Sequence, residues 1–143
     1  MGAQEVDHKL HGFMHYHRRR IQRFFSDCGM FNGHPFMLFL IRHEPGITPA
    51  EIARKMEITP ASATVSLKRM EAEQLVVRVP DENDRRVVHL YLTPQGEELD
   101  NRCHTEKDRV VEATFRDFTA EELALLGNFL DRMRENLKEA DRT

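Results

Sequence analysis

A length of 143 residues allows one domain of ordinary size. The composition, with 40% hydrophobic and 31% charged residues, is typical of a globular chain and excludes a disordered one. The net charge of −3 does not by itself exclude nucleic acid as a partner, because a DNA-binding face needs only local positive charge. The longest purely apolar run, residues 36–41, is far shorter than the roughly 20 residues that cross a bilayer, so we expect no membrane partner.

The N-terminus and the cysteines bear on location and redox chemistry. The first residues lack the basic-then-apolar layout of an export signal. The two cysteines, Cys28 and Cys103, are too few for a disulfide framework. We therefore expect a cytoplasmic protein.

Threonines mark the predicted helix starts. Thr48, Thr59 and Thr93 each stand before a proline, which is well tolerated at the first helical position. Thr48 and Thr119 are also followed three residues later by a glutamate, which is the pattern of a capping box. These signals define the helix boundaries more sharply than the apolar periodicity does.

In chain order we predict helices over 4–27, 36–44, 49–56 and 60–74, strands over 75–79 and 87–92, and helices over 94–117 and 120–140. The two β-rich runs flank a polar loop and therefore predict a hairpin. The first and last helices carry apolar stripes at helical spacing, which must be buried against something. The predicted fold class is mainly α with a small β-hairpin (α+β), in a single domain over 1–143.

Segment 48–74 has the length and punctuation of a helix-turn-helix. On its second helix, Ala63, Leu67, Met70 and Gln74 share one side, which we predict to be buried. The opposite side is centred on Val65 and is small, hydroxylated and basic. Such a face fits the major groove of double-stranded DNA, where hydroxyl and basic groups reach phosphates or base edges and valine meets a thymine methyl. The predicted DNA contacts on this helix are Ser62, Thr64, Val65, Lys68 and Arg69.

The hairpin after this helix is interpreted as a wing. Arginine in a wing can enter the narrow minor groove, where the negative potential is strongest. We predict DNA contacts from Arg78 on the leading strand and from Asp84, Arg85 and Arg86 at the tip, with Asp84 pairing to Arg86 and fixing its direction. Three acids at the tip oppose this interpretation unless they are paired or turned away from DNA.

Three stretches, at 52–56, 63–77 and 84–96, together with the order of elements, resemble the MarR family of winged-helix transcription regulators. The last stretch is the most specific, because Asp84-Arg85-Arg86 and the following Leu92-Thr93 and Gly96 are similar to the family's wing signature. Asp84 and Arg86 match the wing pair. Gln74 departs from the family pattern, which more typically has glycine after the recognition helix.

The resemblance implies a winged helix-turn-helix flanked by N- and C-terminal dimerisation helices. The DNA-binding lobe would cover about 36–93 and the dimerisation helices about 4–27 and 94–140. It further implies a homodimer, and we predict a repressor that acts on a pseudo-palindromic operator. A small aromatic or amphipathic effector would release it, and Phe36, Leu40 and an arginine of the first helix are candidate effector contacts. No catalytic site, metal or cofactor is expected, and the protein is not predicted to be an enzyme.

Other functions stay open. A winged-helix protein-interaction module that does not bind DNA is compatible with the acidic hairpin tip. A regulator that responds to metal or to oxidation is a further alternative, because His11 and His15 are spaced one helical turn apart and Cys28 lies near several arginines.

Overall fold

The computed structural model describes residues 1–30 and 33–142. The elements are α1 (Ala3–Asp27), α2 (His34–His43), α3 (Pro49–Met56), α4 (Pro60–Ala72), β1 (Val76–Pro80), β2 (Val88–Leu92), α5 (Pro94–Thr114) and α6 (Ala120–Ala140). The predicted mainly helical fold with a two-stranded hairpin is confirmed. The predicted break between the first two helices includes residues 31 and 32, which lie outside the described residues.

The chain divides into two compact units, Met1–Lys107 and Asp108–Thr143. The first unit holds α1 to α4, the hairpin and residues 94–107 of α5, whereas the second holds the end of α5 and α6. The prediction of one domain over 1–143 stays a prediction. Across the described residues, no helix combines the length and the apolar character needed to cross a membrane.

The core of the first unit decides which side of α4 faces outward. Ala63, Leu67 and Met70 are each 0% exposed, and Leu67 and Met70 pack in one cluster with side chains from α2, α3 and the hairpin. Burying a side chain of this size contributes about 1.5–3 kcal/mol, so the rotation of α4 about its axis is strongly determined. The three predicted inward positions are therefore confirmed.

The prediction that Gln74 also lies on the buried side of α4 was wrong. The helix ends at Ala72, and Gln74 is exposed in the left-handed conformation with φ of 59°. Leu75 N–H donates to the Met70 carbonyl at 2.9 Å and Gln74 N–H to the Glu71 carbonyl at 2.9 Å, which is a Schellman motif. The reversal turns Leu75 into the core, so Gln74 occupies a backbone position that favours glycine.

We expect the change Gln74→Gly to stabilise the fold. A left-handed conformation costs a non-glycine residue about 1–2 kcal/mol, and the greater freedom of glycine in the unfolded chain offsets about half of that gain. The free energy of unfolding should rise by about 0.5–1 kcal/mol, measured by urea denaturation at constant protein concentration. The matched control Ala72→Gly, at the last position of the same helix, should instead lower it. An unchanged or lower value for Gln74→Gly would contradict the interpretation.

The junction between β2 and α5 explains the spacing of the Leu-Thr-x-x-Gly stretch. The Thr93 hydroxyl donates to the Gln74 carbonyl at 2.6 Å and accepts from Gly96 N–H at 3.0 Å, while Thr93 N–H donates to the Leu75 carbonyl at 3.0 Å. A Cβ atom at Gly96 would lie 2.1 Å from the carbonyl oxygen of Leu75. Threonine and glycine at this spacing therefore hold the start of α5 against the end of α4.

The hairpin is antiparallel, with Val76 opposite Leu92 and Pro80 opposite Val88. Leu90, in the middle of β2, is fully buried. The other edge of β2 pairs with the loop before α3, because Gly46 N–H donates to the Leu90 carbonyl at 2.9 Å and Leu90 N–H donates to the Ile47 carbonyl at 3.0 Å. The hairpin is thus attached directly to the start of the helix-turn-helix.

Candidate nucleic-acid interface

The caps of α3 and α4 place the helix-turn-helix. Thr48 Oγ1 accepts from Glu51 N–H at 3.3 Å, and the Glu51 carboxylate accepts from Thr48 N–H at 2.8 Å, so the predicted capping box is present. The Thr48 N–H and the Thr48 hydroxyl both donate to the Glu51 carboxylate, and these two hydrogen bonds lower the pKa of Glu51. Thr59 caps α4 by accepting from Ser62 N–H at 3.1 Å. The turn between the helices uses Glu57 in a left-handed conformation, with φ of 54°.

The outward face of α4 is small and basic, as the sequence predicts. Val65 is 71% exposed, and Ser62 and Lys68 are exposed beside it. Thr64 is half-buried and its hydroxyl donates to the Pro60 carbonyl at 2.9 Å. Arg69 is exposed but extends along the helix, where its Nε lies 3.2 Å from a Glu73 carboxylate oxygen. Val65, Ser62 and Lys68 are therefore the side chains of this face that are most accessible to a ligand.

Arg78 extends toward α4 rather than away from the protein. Its Nε donates to the Glu71 carboxylate at 2.6 Å, and the Arg78 side chain is 28% exposed. Its Nη2 is buried and has no hydrogen-bond partner among the residues that the structure describes. This arrangement joins β1 to α4, and the predicted contact of Arg78 with DNA stays a prediction.

The wing tip presents Arg86 in a set direction. The Asp84 carboxylate accepts from Arg86 N–H and Nε at 3.1 Å each and from Nη2 at 3.4 Å, while the Arg86 side chain stays 91% exposed. Two parallel hydrogen bonds to one carboxylate fix a guanidinium plane well. The Asp84–Arg86 pair inferred from the sequence is thus present, and Arg85 is exposed next to it.

A second acid of the tip is turned inward. One carboxylate oxygen of Asp81 accepts from the backbone N–H groups of Asn83 and Asp84 at 2.9 and 3.0 Å, and the other lies 2.8 Å from His89 Nε2. These hydrogen bonds, that from His89 first, lower the pKa of Asp81 to about 2. The objection that the tip acids would repel DNA is weakened, since Asp81 and Asp84 both have partners within the hairpin.

The pair formed by Asp81 and His89 was not predicted from the sequence. His89 also places Nδ1 2.8 Å from the Gly46 carbonyl oxygen, and its pKa is raised, by Asp81 first and then by that carbonyl. The sequence offered one signal for this pair: a histidine interrupts the apolar run 87–92, and an aspartate begins the turn of the same hairpin. The contact with Gly46 joins residues 43 positions apart, so periodicity could not reveal it.

Comparison with known proteins identifies the family. Residues 35–88 match the model of the MarR family. The multiple antibiotic resistance protein MarR of Salmonella typhimurium is 31% identical over 99 residues, which cover 68% of each chain. This chain belongs to the MarR family.

Two further proteins are similar to this MarR-family chain. YsmB of Bacillus subtilis, named an uncharacterized HTH-type transcriptional regulator, is 33% identical over 92 residues, which span 64% of this chain and 63% of YsmB. The crystal structure of Streptococcus pneumoniae FabT in complex with DNA is 23% identical, covers 97% of this chain and 99% of FabT, and has a TM-score of 0.79. The shared fold with FabT extends the likeness across both terminal helices.

The MarR-family chain has an open cavity of about 700 Å³ where the predicted effector contacts were placed. Phe36 lines it, together with Phe13, His17 and Arg18 of α1. Leu40 lies elsewhere: it is 6% exposed and belongs to the core cluster. The cavity therefore combines aromatic rings with a guanidinium. Leu40 is not one of its lining residues.

Cys28 and His11, the candidate sensors of oxidation and of metal, each contact a neighbouring side chain in this MarR-family chain. The Cys28 thiol lies 3.4 Å from Arg102 Nη2. His11 contacts Asp7, with Nδ1 3.3 Å from its carboxylate. Among residues 1–30 and 33–142, no group of three or more histidine, cysteine, aspartate or glutamate side chains is arranged to hold a metal ion.

Proposed function

We propose that this MarR-family protein is a homodimeric repressor that binds double-stranded DNA through α4 and the wing. One observation carries the proposal: an outward helix face of small and basic side chains stands beside a wing whose Arg86 is held outward by Asp84. The FabT structure, which contains DNA, supports the same use of this fold. The interaction-module alternative loses its main support, because two of the three tip acids are paired.

Each proposed contact has a distinct role. Val65 and Ser62 lie on the exposed face of α4 and would enter the major groove, where Val65 meets a thymine methyl. Lys68, one turn later, reaches a phosphate. Thr64 contributes through its methyl group and the lone pairs of its hydroxyl oxygen, because its hydroxyl hydrogen is donated to the Pro60 carbonyl.

The wing contributes charge. Arg86 and Arg85 would lie along the minor groove or its phosphates, where a cation is most favourable. Arg69 and Arg78 are both tied to glutamates, so we assign Arg78 to holding β1 on α4 and Arg69 to a secondary phosphate contact.

The terminal helices supply the proposed dimer interface. Neither α1 nor α6 contains a buried side chain, although both carry apolar residues at helical spacing. The exposed apolar residues of α6 include Leu123, Leu125, Phe129, Leu130, Met133 and Leu137. Long amphipathic helices bury such stripes, and a second copy of this chain is the partner that we propose. A two-fold dimer would read a pseudo-palindromic operator.

The cavity beside α1 is the proposed effector site. Phe13 and Phe36 offer ring surfaces, and Arg18 offers a positive charge. An aromatic or amphipathic anion matches this chemistry, and its binding is proposed to release DNA.

The test is a fluorescence-anisotropy titration with the DNA upstream of the gene for this chain, at two salt concentrations, beside a scrambled duplex. We expect the native duplex to bind at least about 1,000-fold more tightly than the scrambled one, with affinity that falls steeply with salt. Sedimentation of the free protein at the same concentrations should give the mass of two chains. Weak binding of equal strength to the native and the scrambled duplex would count against the proposal. If a selection from random-sequence DNA also yields no duplex that binds more tightly, the proposal is contradicted.

A further inference from the structure

His89 connects the wing tip to the helix-turn-helix. Its Nε2 lies 2.8 Å from a carboxylate oxygen of Asp81, and its Nδ1 lies 2.8 Å from the carbonyl oxygen of Gly46. Gly46 belongs to the loop that leads into α3 and is itself paired with Leu90 of β2. The imidazole thus spans the space between the wing tip and the loop that precedes the helix-turn-helix.

Both partners of the imidazole are hydrogen-bond acceptors only. A neutral imidazole has one N–H donor and one bare nitrogen, whereas an imidazolium has two donors. The two short contacts can therefore be hydrogen bonds at the same time only when His89 is protonated. In the neutral form one of them becomes a contact between two lone pairs, and the bridge opens at one end.

The bridge continues to Arg86. The Asp81 carboxylate that His89 contacts also accepts from the N–H groups of Asn83 and Asp84, which shapes the turn of the tip. Asp84 in turn holds the guanidinium and the N–H of Arg86. A continuous series of hydrogen bonds therefore runs from the Gly46 loop to the exposed arginine.

The groups around His89 favour its charged form. Asp81 faces it from the tip, the Gly46 carbonyl faces it from the loop, and Glu51 of α3 adds a longer-range negative charge. Its partner across the hairpin is Val79, which is uncharged.

We propose that His89 is a positioning residue of the wing, which as an imidazolium ties Asp81 to the Gly46 loop and thereby sets the direction of Arg86. The inference rests on the proposed DNA-binding function. It makes DNA affinity depend on pH through one histidine that does not itself touch DNA.

The direction of the pH effect follows from linkage. The pKa of His89 is raised in the folded chain, so the stabilisation is fully present below its unfolded value of about 6.5 and is lost as the pH rises through the folded value. The pKa of Asp81 is lowered to about 2, so its contribution is present above its unfolded value of about 3.9 and is lost as the pH falls toward 2. The stabilisation is therefore complete between about pH 4 and 6.5, and the bridge opens as the pH rises through the raised pKa of His89.

The experiment measures affinity for the operator duplex between pH 6 and 8.5 for the parent, His89→Gln, Asp81→Asn and the control His8→Gln. As the pH rises from 6 to 8.5, the affinity of the parent and of the control for the duplex should fall. This fall should be at least about fivefold larger than any fall seen for His89→Gln. Asp81→Asn keeps an acceptor for the tip N–H groups but removes the charge, so the midpoint of its pH profile should move to lower pH. A role limited to packing would not move that midpoint.

A second readout does not require DNA. In NMR titrations of the free protein, the amide signals of Asn83, Asp84 and Arg86 should shift with the same midpoint as the His89 ring. Amides that do not follow the ring, or a His89→Gln profile that matches the parent, would overturn the inference. If no duplex binds at any pH, the proposed function fails, whereas the amide titration still decides whether His89 sets the tip.

Discussion

Replacing Arg86 by alanine is expected to weaken operator binding by about 1–3 kcal/mol, which corresponds to roughly 5- to 150-fold in affinity. Arg86 is almost fully exposed and is held outward by Asp84, so its guanidinium is the most accessible directed charge of the wing. The slope of log affinity against log salt should become shallower by about one for each wing that loses a phosphate contact. Anisotropy titrations at several salt concentrations measure both quantities.

The control for this prediction is Arg86→Lys. Lysine keeps the charge but lacks the planar fork that pairs with Asp84, so its affinity should lie between the parent and the alanine variant while the salt slope is retained. Neither change should alter the free energy of unfolding by more than about 0.5 kcal/mol, because the side chain is exposed. Parent-like affinity of Arg86→Ala would count against the wing model.

The change Gly96→Ala is expected to destabilise the protein by more than about 2 kcal/mol. The new Cβ would lie 2.1 Å from the carbonyl oxygen and 3.1 Å from the carbonyl carbon of Leu75, so backbone rather than a flexible side chain would have to move. That backbone is held by hydrogen bonds from Thr93. Overpacking a tight contact costs about 1–3 kcal/mol, and a rigid backbone neighbour places this case at the upper end. Urea denaturation at constant protein concentration measures the loss.

The matched control is Gly12→Ala in α1. Among the described residues, a Cβ atom at Gly12 would have no atom within 4 Å apart from its two neighbours in sequence and the backbone of its own helix. The same substitution should therefore raise the free energy of unfolding by about 0.5–1 kcal/mol through helix propensity. A Gly96→Ala variant that unfolds at the same urea concentration as the parent would show that the junction between α4 and α5 tolerates a wider spacing.

The helix starts were predictable because their causes are local. Thr48 and Thr119 form their capping boxes with residues three positions away, and the predicted bounds of α3 and α6 match the structure. The Asp84–Arg86 pair is equally local. The buried side of α4 followed from periodicity for Ala63, Leu67 and Met70.

Periodicity failed where the backbone changes conformation. The pattern placed Gln74 one turn beyond Met70, but the helix had already reversed at Gln74 to bring Leu75 into the core. The family's usual glycine at this position would have revealed the turn, and its replacement by glutamine concealed it. The ion pair of Arg78 was also not predicted, because its partner Glu71 lies on α4 and not on the hairpin.

The sequence alone determined the order of helices and strands, the caps, the outward face of α4 and the Asp84–Arg86 pair, since each depends on residues within about one helical turn of one another. Only the tertiary structure decided that Arg78 turns toward Glu71, that Gly96 lies under the Leu75 carbonyl, and that His89 joins Asp81 to Gly46. These contacts arise when separate elements pack on a common core, and the distance along the chain carries no information about them.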